Sequence, residues 1–144
     1  MNMRFAGQVA VIAGGADGLG KGIAKRIASE GGRIVLLDID PNRLESAVSE
    51  FKGEGFEAEG YPVDVADEHS VEKAFKAAEE SCGKIDIVVN SAGIVGLTNT
   101  KITDYTTSAF DQIYGVNLRG TFLVCKYAVK AMEKNNYGRV LLIA

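Results

Sequence analysis

Residues 8–20, QVAVIAGGADGLG, decide the fold. QVAVIA (8–13) is a short apolar run ended by Gly14 and Gly15, which reads as a buried strand. Leu19, Ile23 and Ile27 then recur every four residues, a helical stripe that predicts a helix over 18–30, closed by Gly31 and Gly32. A glycine loop between a strand and a helix start is a phosphate cradle. The backbone can approach a pyrophosphate closely, and the helix N-terminus offers free N–H groups and the positive end of its dipole. Gly14, Gly18 and Gly20 are spaced G-x-x-x-G-x-G rather than G-x-G-x-x-G. No Gly-Lys-Ser/Thr follows, so the loop is not a P-loop. Taken alone, it also suits a tight turn with close helix–strand packing.

Outward from this unit the pattern repeats. RIVLLD (33–38) is a second strand, and Asp40-Pro41 opens a helix whose inner face carries Leu44, Val48 and Phe51. A weaker third strand covers 56–63, and Asp67 caps a helix with Val71, Ala74, Phe75 and Ala78 on one side. IDIVVN (85–90) is the fourth strand. A polar loop runs to about Thr106, a long helix is predicted over 107–133, and RVLLIA (139–144) is a fifth strand. Strands alternating with helices imply βαβ units and a parallel, doubly wound α/β sheet. The apolar last strand carries no helix after it, so the sheet is expected to be truncated there.

The bulk composition agrees with one domain. The 144 residues are 47% hydrophobic and 24% charged, with a net charge of −3, which gives no electrostatic footprint for nucleic acid or an anionic membrane. No run approaches the roughly 20 apolar residues of a membrane span. Residues 1–8 lack the charged-then-apolar order of a signal peptide, and Cys82 and Cys125 are far apart with no CxxC. The expectation is a cytoplasmic protein with two reduced thiols and no metal site. His69, the only histidine, is expected to be a solvated residue in the first turn after Asp67, and the charged stretch 45–59 a solvated face.

Four loops are expected on one edge of the sheet, where open α/β sheets bind ligands. Asp38 ends the second strand, 18 residues after Gly20. An acid there accepts from a ribose 2′-hydroxyl and repels a 2′-phosphate, favouring NAD over NADP. Asp64-Val65 follows the third strand and Asn90-Ser91-Ala92-Gly93 the fourth; singly, each is also compatible with an ordinary turn. Asn117 falls on the helical face formed by Phe110, Ile113, Tyr114, Leu118, Thr121 and Phe122, and is read as a buried amide in need of partners, with a backbone-tied core Asn as the alternative. Gly115 and Gly120 beside it predict a bend or a close contact.

These motifs together resemble the N-terminal part of a short-chain dehydrogenase/reductase. Ala13 to Gly20 resembles that family's TGxxxGxG with Ala13 in place of Thr. Asn90-Ser91-Ala92-Gly93 resembles NNAG with Ser91 in place of Asn. The resemblance implies a three-layer Rossmann domain over 1–144 with strand order 3-2-1-4-5. It implies an NAD site made by Gly14, Ala16, Asp17, Gly18, Leu19, Gly20, Asp38, Ile39, Asp64, Val65, Asn90, Ala92 and Gly93. Asn117 resembles the helical Asn of the catalytic tetrad.

The family's catalytic Ser and Tyr-x-x-x-Lys lie beyond the positions matched here. None of Tyr61, Tyr105, Tyr114, Tyr127 and Tyr137 is followed four residues later by Lys. The expectation is the cofactor half of an NAD-dependent oxidoreductase acting on a secondary alcohol or ketone, a sugar-acid or keto-acid derivative, inactive by itself. The longer enzyme would be a homo-oligomer, dimer or tetramer, with residues 107–133 in an interface. A 3-oxoacyl reductase-like substrate stays open, as does a non-catalytic NAD-binding or interaction module.

Overall fold

The computed structural model describes residues 3–144. Its strands are β1 (Val9–Ala13), β2 (Arg33–Asp38), β3 (Ala58–Pro62), β4 (Ile87–Asn90) and β5 (Arg139–Leu142). They form one parallel sheet in the order β3-β2-β1-β4-β5, the order the family resemblance implies. The helices are α1 (Gly18–Ser29), α2 (Pro41–Gly53), α3 (Glu68–Cys82), α4 (Thr107–Ile113) and α5 (Thr121–Glu133). A single 3₁₀ turn, Ile102–Asp104, interrupts the loop after β4. No helix among the described residues is long and apolar enough to cross a membrane.

Alternation along the strands builds two cores, one on each face of the sheet. Ala10, Ile12, Ile34 and Leu36 pack with Ala24, Ile27, Leu44, Ala47 and Phe51 of α1 and α2. Val9, Val11, Val35, Leu37 and Val88 pack with Val71, Phe75, Ala78, Leu123, Val124 and Ala128 of α3 and α5. Burial on both sides explains why the central strands read as continuous apolar runs. The helix starts follow the caps read from sequence: the Asp40 carboxylate accepts from the Asn42 and Arg43 N–H groups, and that of Asp67 from His69.

Three expectations are corrected. The stripe on α1 loses its first member: Leu19 is 70% exposed, Ile23 is half-buried, and Gly20, Ala24, Ile27 and Ala28 make the contact face. Leu19 sits in the first turn of α1, and its side chain faces outward rather than onto the sheet. The long helix is not one α-helix: Tyr114–Gly120 is a π-helical segment between α4 and α5. Its apolar stripe is not core either, since Phe110, Tyr114, Leu118 and Phe122 are each at least half exposed. A helical period reports an apolar face but not what covers it. Among the described residues nothing covers this one.

Candidate cofactor site

The C-terminal ends of β1, β2 and β4, with the π-helical segment, surround a cavity of about 330 Å³. Gly14, Asp38, Ile39, Asp64, Val65, Ala92 and Gly93 line it, so seven of the expected site residues meet there. Ala16 and Asp17 line an adjoining groove between α1 and α2. Gly18, Leu19 and Gly20 form the first turn of α1.

The three glycines of the loop do different things. Gly14 has a φ of +70°, and a Cβ there would stand 2.7 Å from the Ala92 nitrogen, so the loops after β1 and β4 touch only because it has no side chain. A Cβ on Gly20 would stand 2.1 Å from the Gly14 carbonyl oxygen, so α1 can begin directly on the loop. Gly18 is different: its φ is +53° and a Cβ would meet nothing within 4 Å. The space over the α1 N-terminus is open to a ligand at the position where the helix presents its free N–H groups. The residues present therefore fit a pyrophosphate.

Asp38 is half-buried at the end of β2. One of its oxygens accepts from the Ala16 N–H and the other from the Asp40 N–H, each at 3.2 Å. These two bonds tie the glycine loop to the start of α2, and a carboxylate has further lone pairs for hydroxyl donors. Asp64 is exposed and closes its own turn, accepting from the Ala66 N–H at 2.9 Å, while its N–H donates to Ser70 Oγ at 3.0 Å. Val65 is buried against Gly120, where a Cβ would lie 2.9 Å from Val65 Cγ2. This is the close contact expected of that glycine. The Arg119 guanidinium donates to the Ala66 carbonyl beside it.

Asn117 stands in the π-helical segment and is exposed, not buried as its place in the stripe suggests. Both ends of its amide are nevertheless partnered. Asn117 Oδ1 accepts from the Ile94 N–H at 2.8 Å and Nδ2 donates to the Ile94 carbonyl at 2.9 Å. Asn90 is buried, donating from Nδ2 to Thr121 Oγ1 at 2.9 Å and accepting from the Ala92 N–H at 3.3 Å. Thr121 Oγ1 in turn donates to the Asn117 carbonyl at 2.6 Å. The end of β4 is thus joined through one hydroxyl to the backbone of Asn117.

Neither Thr121, in this linking role, nor Arg43 belongs to a sequence motif of the site, yet each has a local signal. The four-residue step from Asn117 to Thr121 is the spacing at which a Thr hydroxyl reaches back to a helical carbonyl. Arg43 is three residues after Asp40, the spacing of a helical ion pair.

Other titratable groups stand apart from the cavity. His69 is exposed, as expected. Lys130 lies 5.3 Å from the Tyr127 ring, and the Tyr127 hydroxyl donates to Glu68, inside the α3–α5 packing. Both cysteines are free; burial and the neighbouring Glu59 carboxylate push the Cys82 thiol up to about 12.

The model of the family described as short chain dehydrogenase matches residues 8–144. An uncharacterized oxidoreductase, YxbG, of Bacillus subtilis (strain 168) is 39% identical over 132 residues, covering 92% of this chain and 48% of that protein. The 2-dehydro-3-deoxy-L-rhamnonate dehydrogenase (NAD(+)) of Sphingomonas sp. (strain SKA58) is 36% identical over 141 residues, 98% of this chain and 55% of that one. The crystal structure of NAD+-bound xylitol dehydrogenase superimposes with a TM-score of 0.93 at 33% identity, covering 96% of this chain and 53% of that chain. The chain spans about half the length of the curated relatives it matches.

Proposed function

Because the chain belongs to the short-chain dehydrogenase family, we propose that it binds NAD across the strand ends, as the cofactor half of an oxidoreductase acting on a secondary alcohol or ketone. The single observation that carries this reading is Asp38. It is an acid at the end of β2, sharing a cavity with Gly14 and Asp64.

On this reading Gly14 to Gly20 and the α1 N-terminus take the pyrophosphate. Asp38 accepts the adenosine ribose hydroxyls and repels a 2′-phosphate. Ile39, Asp64 and Val65 flank the base, and Ala92 and Gly93 line the wall nearest Asn117. NAD supplies the hydride chemistry when bound. Asn117, by gripping Ile94, fixes the loop that follows this wall. A Tyr four residues before a Lys does not occur within these 144 residues, so we assign them no general acid/base for the carbinol proton.

A sugar-acid or keto-acid derivative is the substrate class we favour. It is supported by similarity to a deoxy-sugar-acid dehydrogenase and a polyol dehydrogenase. A homo-oligomer is supported by the exposed stripe Phe110, Tyr114, Leu118 and Phe122. A cytoplasmic location is supported by the two free thiols.

Calorimetric titration tests the central reading. The protein is expected to bind NAD more tightly than NADP, and Asp38→Ala to weaken NAD and narrow that difference. Discrimination unchanged by Asp38→Ala overturns it.

A further inference from the structure

Asp38 is not the only charge at the ribose end of the cavity. Arg43, in the first turn of α2, is among the described residues the one cation lining the cavity that Asp38 lines. It also lines the neighbouring groove of about 460 Å³ between α1 and α2, together with Asp17 and Lys21. Arg43 therefore stands on the wall between the two spaces.

Neither cation is free. Arg43 Nη1 lies 3.6 Å from Asp17 Oδ2, and Arg43 Nε lies 3.3 Å from Asp40 Oδ2. Lys21 is paired with Glu50 at 2.6 Å. The division of labour within each aspartate is the same. Asp17 Oδ1 caps α1 through the Gly18 N–H, and Asp40 Oδ1 caps α2 through the Asn42 and Arg43 N–H groups. Each acid spends one oxygen on its helix and turns the other toward the guanidinium.

A guanidinium fork matches a phosphate as well as it matches a carboxylate, so the two compete for it. A free Arg beside Asp38 would offset the repulsion that Asp38 exerts on a 2′-phosphate. Resting on the NAD reading above, we propose that Asp17 and Asp40 are further determinants of cofactor choice, because they keep Arg43, a latent phosphate anchor, from a ribose 2′-phosphate. Exclusion of the phosphorylated dinucleotide is then divided among three carboxylates. Asp38 acts by repulsion, and Asp17 and Asp40 act by holding the cation.

The test is calorimetric titration of NAD and NADP against four proteins: the wild type, the Asp17→Asn/Asp40→Asn variant, Arg43→Ala, and the three changes combined. Asn keeps the helix caps while removing the charge. The Asp17→Ser/Asp40→Ser variant serves the same purpose if the Asn pair does not fold. In the charge-removed variant the ratio of NADP to NAD affinity should rise about tenfold, the order expected for one charged hydrogen bond. Adding Arg43→Ala should abolish the rise, and Arg43→Ala alone should leave the ratio near that of the wild type. An unchanged ratio in the charge-removed variant overturns the proposal. So does a rise that survives the loss of Arg43, because general charge reduction would then explain it. Absence of NAD binding by the wild type is a different result: it overturns the NAD reading and this inference with it.

Discussion

Asn117 holds Ile94 by both ends of its amide, accepting the Ile94 N–H at 2.8 Å and donating to the Ile94 carbonyl at 2.9 Å. This is the pairing of a strand residue with its neighbour, made here by a side chain. It fastens the loop after β4 to the π-helical segment, and a Cβ on Gly93 would already stand 3.4 Å from Asn117 Oδ1. The loop wall of the cavity is therefore set from a helix 23 residues away.

Asn117→Ala should release that loop. Two partly solvated hydrogen bonds are worth about 1–2 kcal/mol together. Amide hydrogen exchange at Ile94 should quicken by roughly the corresponding factor, about tenfold, while the amides of β1 keep their protection. Exchange at Ile94 that does not change would show that the loop is held by other contacts.

Two glycines on α1 should respond to alanine with opposite signs. Gly20→Ala places a methyl group against the Gly14 carbonyl oxygen, 2.1 Å from where a Cβ would sit, and should cost about 1–3 kcal/mol of stability. Gly22→Ala meets nothing within 4 Å and lies inside the helix, so it should stabilise by about 0.5–1 kcal/mol. Urea unfolding of the two variants checks both signs at once.

Acid should strip away one link between the N-terminal segment and α1. The Glu30 carboxylate is bound by the Arg4 and Arg26 guanidinium groups, and Arg4 above all lowers its pKa from 4.5 to about 2. A folded-state pKa below the unfolded one gives stability that is complete above the unfolded value and lost as pH falls through the folded one. The Glu30 contribution should thus be present above about pH 5 and fade between there and pH 2. Glu30→Gln should flatten the pH dependence of the unfolding midpoint in that window; an identical slope would argue against the linkage.

Cys82 should be a slow thiol. Its Sγ donates to Glu59 Oε1 at 3.1 Å, and burial with that carboxylate holds the thiol form up to about 12. Thiolate is the reactive species. In a Cys125→Ser background, labelling by a disulfide reagent at pH 8 should be slower than for the urea-unfolded chain, and Glu59→Gln should accelerate it. Labelling at the unfolded rate would contradict the half-buried, hydrogen-bonded placement.

How much of this was legible beforehand follows from the range of the forces involved. The strands, their alternation with helices, the caps at Asp40 and Asp67 and the glycine loop rest on residues within a few positions of one another, and periodicity and cap chemistry expose them. The strand order came from the resemblance carried by those local motifs, and the sheet has that order. The meeting of Gly14, Asp38, Asp64 and Gly93 at one edge was likewise legible, because parallel strands bring all their C-terminal ends to the same side.

What tertiary structure alone decided is what each side chain finds when it gets there. The period of the 107–133 helix announces an apolar face, yet leaves Phe110 and Phe122 exposed and turns part of the helix into a π-helical segment. Leu19 keeps the spacing of Ile23 and Ile27 but is left exposed in the first turn of α1. Asn117 is paired with Ile94, and Arg43 with Asp17, across loops whose course no local pattern specifies. Secondary structure is encoded in neighbours along the chain. Burial and charge pairing are encoded in neighbours in space, and those exist only once the sheet has closed around them.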